Sequence, residues 1–122
     1  MANQLTSMDG LRYLEAEHVE HPSGTMAGLT LCSCDDEKLG TLEGVVLEPS
    51  SRRIRYFVVQ RRASLMTRFY LLAADTQAVL DVRDRTLRVQ ARAEDLTRFD
   101  SRSVPHFSDE DAMTAMFSRP AA

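Results

Sequence analysis

Residues 38–59 read KLGTLEGVVLEPSSRRIRYFVV, two apolar bursts around a Pro-Ser-Ser-Arg-Arg reversal, with Gly40 and Gly44 inside the first burst. Leu39 and Leu42 are three apart, and a strict two-residue strand repeat would send them to opposite faces. Glycine beside such a break marks a bulge or sharp bend, because its backbone reaches angles other residues avoid. Residues 39–48 are therefore expected to form one strongly bent strand, kinked near Glu43 and Gly44. Pro49 sets the first corner of the reversal, and the serines bond back to the backbone. The return strand, 54–60, alternates Ile54, Tyr56 and Val58 with Arg55, Phe57 and Val59. Apolar residues on both faces call for cover on both: one face lines an interior, and something else covers the other. Bends of this kind let a small sheet close into a barrel without open edges.

The flanking segments fit that scheme. Residues 1–27 read as a polar, acidic lead-in that partly packs on the domain. In it Leu11 and Leu14 share one side of a helical turn, and His21-Pro22-Ser23-Gly24 ends any regular element. GLTLCSC, 28–34, alternates Leu29, Leu31 and Ser33 against Thr30, Cys32 and Cys34, a short strand followed by the polar turn DDEK. Residues 60–64 read as a loop, 69–72 as a strand, 73–78 as a short helical turn and 79–82 as an apolar run into the turn Arg83-Asp84-Arg85-Thr86. Leu87, Val89 and Ala91 then alternate with Arg88, Gln90 and Arg92, a half-exposed strand with a basic outer face. Residues 93–96 read as a helical turn. Residues 107–117, FSDEDAMTAMF, have helix grammar: Ser108 caps, Asp111 follows three later, and Asp109 and Glu110 face the positive end of the helix dipole. Ala112, Met113, Met116 and Phe117 make an apolar stripe, and a helix so short must dock to persist.

At 122 residues the chain holds one domain with one modest core. The longest apolar run, YLLAA, is far short of the roughly 20 residues of a membrane span. MANQLTSMDG lacks the basic-then-apolar order of a secretory signal, which makes the cytoplasm the expected location. Net charge is −3, but it is unevenly spread: residues 1–48 hold nine acids and two bases, residues 49–102 twelve bases and six acids, and the tail three acids and one base. That segregation favours self-association or a charged protein partner. Fourteen of the fifteen bases are Arg, Lys38 being the exception.

The order of elements resembles the PRC-barrel family, which includes the cytoplasmic domain of the photosynthetic reaction-centre H subunit and the C-terminal domain of the bacterial ribosome-maturation factor. Leu39-Gly40, Glu48-Pro49 and Arg55-Tyr56-Phe57-Val58-Val59 carry the resemblance, followed by YLLAADTQAVLDVRDRTLRV at 70–89. It implies a mainly β fold: a small PRC-type β-barrel of about six strands over residues 28–99, then a linker and a short amphipathic helix in 100–122. It also implies binding, in protein contacts or in ribosome or complex assembly, and brings no shared catalytic set. Three positions depart from the family pattern. Asp36 and Arg52 stand where its turns carry glycine, and Ala74 stands where a proline is frequent. A left-handed backbone costs a non-glycine residue on the order of 1 kcal/mol, so one or both turns are expected to take another shape.

For chemistry, Cys32 and Cys34 point to one face of a strand, and with His18 and His21 they offer metal ligands. Their spacing matches no common zinc pattern, and reduced, structural thiols are the expectation. His18, His21 and His106 have no recognisable nucleophile with a supporting acid, and nucleotide-loop and nucleophile-elbow motifs are absent. No catalytic activity, metal or cofactor is therefore expected. In a hairpin, Arg52 and Arg53 fall at the end opposite Arg61 and Arg62, which argues against one compact nucleic-acid patch. The reading that emerges is a homodimeric adaptor with a protein partner, and Phe107, Met113, Met116 and Phe117 as its contact residues. The alternatives are an RNA- or ribosome-associated factor using Arg61 and Arg62, and a metal or redox site at Cys32 and Cys34.

Overall fold

The computed structural model describes residues 10–117 apart from 22–23, 64 and 76; side chains of 20–21, 24–25, 63, 101 and 114–117 are outside the description. The strands are β1 (Arg12–Glu15), β2 (Glu20–His21), β3 (Gly24–Thr25), β4 (Thr30–Ser33), β5 (Lys38–Glu48), β6 (Arg53–Ala63), β7 (Met66–Ala73), β8 (Ala78–Asp81), β9 (Thr86–Val89) and β10 (Thr97–Arg98), and one α-helix, α1 (Asp109–Phe117), follows. The protein is mainly β, as expected. Eight strands share one sheet, in the order β10-β7-β6-β5-β4-β9-β8 with β1 added on β5, while β2 and β3 form a separate pair.

The expected six-stranded closed barrel is corrected on both counts: the strand number is eight, and the ladder stays open between β10 and β8. These ends are two and four residues long, which leaves little backbone with which to join. The sheet nevertheless curls. Leu72 of β7 and Leu87 and Val89 of β9 belong to one buried cluster with Leu31, Leu39, Leu42, Val45, Phe57 and Val59. In a flat sheet β7 and β9 would stand four strand spacings apart, roughly 19 Å, so the two ends must bend toward a common interior.

The bend sits where the glycines place it. Leu42 pairs with Val59 and Gly44 with Val58, which leaves Glu43 as the extra residue of a bulge. Before the bulge, β5 pairs with β4 through residues 38–41; after it, the same edge pairs with β1 through residues 44–47. Gly44 makes that exchange possible. A methyl group there would lie 2.6 Å from the Leu14 carbonyl oxygen and 2.7 Å from the Tyr13 ring.

The other face of β5, β6 and β7 is covered by the chain's own two ends. Leu11, Tyr13, Phe99 and Val104 are buried with Val46 and Val58, and Tyr56, Phe69 and Leu71 pack against them. Each such aliphatic or aromatic burial contributes roughly 1.5–3 kcal/mol. The lead-in is thus part of the sheet where it was expected to be helical: Leu11 and Tyr13 enter this outer core, and Leu14, one step out of phase, packs on the inner one. Residues 60–63, expected as a loop, continue β6, since nothing in Gln60-Arg61-Arg62 breaks a strand. Residues 73–78 hold a turn at Ala74 and Asp75 before β8 where a helical turn was expected.

Asp36 and Arg52 keep left-handed backbones, with φ of 65° and 57°, and Arg85 shares the conformation at 51°. The expectation of differently shaped turns is corrected accordingly. Asp36 tolerates this region better than most residues do, and its carboxylate holds the Arg88 guanidinium. Replacing Gly44 by alanine is expected to destabilise the fold by about 1–3 kcal/mol, read as a lowered urea midpoint. An unchanged midpoint would mean that Tyr13 does not rest on this glycine.

Candidate functional site

Far from the termini, the β6–β7 hairpin runs on with arginine in place of core residues. Arg61 pairs with Arg68 across the ladder, and Arg62 with Thr67. Lys38, at the start of β5, borders the same groove of about 520 Å³, with Thr41, Gln60, Arg61 and Arg62 among its lining residues. The Arg61 guanidinium lies 5.9 Å from the centre of the Tyr70 ring, a cation–π contact that restrains it. Five arginines elsewhere are matched, Arg12 with Asp111, Arg55 with Glu48, Arg88 with Asp36, Arg92 with Asp35 and Arg102 with Asp100, while Arg53, Arg83 and Arg98 stand singly on the surface without a carboxylate in reach among the described residues. Among the described residues, Lys38, Arg61, Arg62 and Arg68 have no carboxylate within salt-bridge reach. At the hairpin tip Leu65 is fully exposed and Met66 more than half exposed.

The separation of Arg52 and Arg53 from Arg61 and Arg62 is as expected: Arg53 pairs with Glu48 at the turn, and Gln60 with Thr41 at the other end. Of the residues that complete the basic end, Arg68 belongs to the same sequence cluster of arginines, and Lys38 carries no local sequence signal. Lys38 joins it through strand pairing alone.

Two residues along β5 from Thr41 the sign of the charge reverses. Glu43 sits at the bulge, and Glu15, held opposite Gly44 by β1, lies beside it. With Tyr13, Val58, Phe69 and His106 they line a small cavity of about 130 Å³. The Tyr13 hydroxyl donates to the Glu43 carbonyl oxygen at 3.4 Å, and the His106 ring meets the Tyr13 ring edge-on at 5.2 Å. Burial of the phenol, then the charge of Glu43, pushes the Tyr13 hydroxyl well above its ordinary value. Burial, then the charges of Glu15 and Glu17, raises the Glu43 carboxyl. His18 approaches both Glu15 and Glu17, at 4.0 and 3.7 Å, but all three side chains are exposed.

The expected contact residues of the C-terminal helix fall in different settings. Phe107 is half-buried, and its backbone N–H donates to the Tyr13 carbonyl at 2.9 Å, while Met113 is exposed. The side chains of Met116 and Phe117 lie outside the described residues. Among the described residues of the helix, the buried one is an acid, Asp111. Asp111 accepts from Ser108 N–H at 2.9 Å while its own N–H donates to Ser108 Oγ at 3.3 Å, the expected capping box. Both its oxygens also accept from Arg12 Nε at 3.1 Å.

Cys32 is half-buried and Cys34 exposed, both unbridged. Among the described residues no metal-sized cluster includes either; the only such group is Glu15, Glu17 and His18. His21's side chain lies outside the described residues. Among these residues no helix is long and apolar enough to cross a membrane. No family model matches the chain, and no curated protein matches it.

A carboxyl raised by folding favours the native state when protonated, and that contribution fades as pH rises from the unfolded value of 4.5. At neutral pH the Glu43 charge therefore opposes folding. Glu43→Gln is expected to raise the neutral-pH urea midpoint, with the gain disappearing below about pH 4. A gain of equal size at both pH values would show that charge is not the cause.

Proposed function

We propose that this chain is a non-catalytic protein-interaction module of PRC-barrel type, acting as a homodimeric adaptor in the cytoplasm. The observation that carries the proposal is the hairpin end, where Arg61, Arg62 and Arg68 have no carboxylate in reach among the described residues and Leu65 and Met66 are exposed at the tip. Arginine and methionine with a small apolar centre are the composition of a protein interface. The PRC-barrel likeness is supported by the left-handed backbone at Asp36 and Arg52, where the family pattern carries glycine, and by the curled sheet around one interior. Two free thiols, one exposed, suit a reducing compartment. Sedimentation velocity of the full chain is expected to give a dimer mass at about 100 µM, an interface of ordinary micromolar strength. A monomer at that concentration overturns the proposal.

The same groove favours a second reading, an RNA-associated factor, because Lys38, Arg61 and Arg62 line it and Arg61 lies over the Tyr70 ring. It predicts that single-stranded RNA is retained in a low-salt filter assay and that Arg61→Ala/Arg62→Ala abolishes retention. Absence of retention by the unaltered chain ends it.

A further inference from the structure

We infer that the two copies dock by reciprocal charge exchange: the basic groove of one, at Lys38 and Arg62, receives the acidic rim of the other, at Glu15, Glu17 and Glu43. The inference rests on the homodimer proposed above and names its surface.

A two-fold interface uses one patch on both copies, so that patch must be self-complementary. A patch of a single sign would set arginine against arginine. Here one strand carries both signs. The Lys38–Thr41 segment of β5 borders the groove, and Glu43 follows two residues later, roughly 7 Å along the strand. Glu15 is fixed beside it by its pairing with Gly44. On β6 the same change runs from Arg62, in the groove, to Val58, in the acid-rimmed cavity. Matching Arg62 to Glu43 in both directions puts the axis beside Gln60 and its ladder partner Thr41, both uncharged.

Both patches are short of partners within the chain. Lys38 and Arg62 lack carboxylates among the described residues, and the three glutamates crowd one another, with only His18 near Glu15 and Glu17. The cavity at the acidic rim has an apolar floor of Val58 and Phe69. Arginine fits such a place, laying its methylene stem on the floor and its guanidinium on the carboxylates. A phosphate chain fits less well, since anything continuing from the groove along β5 meets Glu43, and the exposed Leu65 and Met66 have no use for it. Those two residues supply adhesive area, and the charges set the register.

The test is sedimentation of the full chain and of two charge-reversed variants, Lys38→Glu/Arg62→Glu and Glu15→Arg/Glu17→Arg, singly and mixed, with far-UV circular dichroism of each. The expected result is a dimer for the unaltered chain, weakened about tenfold between low and high salt, a monomer for each variant alone, and a dimer for the equimolar mixture. Variants that dimerise like the unaltered chain overturn this interface and leave the homodimer standing. A mixture of folded variants that stays monomeric overturns it as well. An unaltered chain that is monomeric throughout overturns the homodimer and this inference together. Should a double variant lose its native spectrum, the single exposed changes Arg62→Glu and Glu17→Arg carry the same mixing test, with the same two outcomes.

Discussion

Tyr13 lying across Gly44 is the contact on which the architecture turns. β5 is eleven residues long and serves two successive neighbours along one edge, β4 and then β1. A straight strand would keep one neighbour; the bulge at Glu43 turns it, and the bare Cα at Gly44 lets β1 come close enough to take over. That takeover brings Tyr13 into the outer core, and Tyr13 recruits the C-terminal segment. Its N–H donates to the Pro105 carbonyl at 2.8 Å, and its carbonyl accepts from Phe107 N–H. One glycine therefore decides whether the two ends of the chain meet.

The helix follows from the same clasp. Nine residues make too short a helix to hold alone, and the apolar stripe that would normally dock it leaves Met113 exposed. Asp111 ties its start to the strand, by closing the capping box on Ser108 and gripping Arg12 one residue before Tyr13. Helix start and strand start thus share one carboxylate, with side-chain exposure of only 11%. An ion pair so shielded is bound to its geometry more firmly than the open pairs at Arg92 or Arg102.

What could be read from the sequence divides along a physical line. The bent β5, the Pro49 reversal, the two-faced β6, the alternation of Leu87, Val89 and Ala91 and the Ser108 cap rest on contacts within a few residues, and pattern reports these directly. Leu11 and Leu14 were misleading because a spacing of three fits a helical turn as well as two faces of a strand, and only pairing with β5 decides between them. The arginines of 60–64 conceal a strand in the same way, since their polarity suits a loop while no glycine or proline is present to make one. Closure of the sheet is the largest difference. Bends supply curvature, but closure depends on the lengths of strands at opposite ends of the ladder, which no local pattern records. The candidate site was half legible: Arg61 and Arg62 stood out, whereas Lys38 and the Glu15–Glu43 rim come together only through pairing across the sheet.

The clasp also determines where binding is possible. Residues 11–13 and 99–104 cover β5, β6 and β7 as far as Val58 and Phe69. Beyond those residues the β6–β7 hairpin continues, with nothing laid over it among the described residues, through Gln60 to Ala63 and back from Met66. A strand pair projecting from its core must carry polar side chains or expose apolar ones, and this hairpin does both, with arginines along its length and Leu65 and Met66 at its tip. Polar residues alone would suffice for solubility, as on the outer face of β9. Within the chain the tip is held only loosely: the Met66 sulfur accepts from the Arg68 guanidinium at 3.7 Å, and the Leu65 side chain stays in the open.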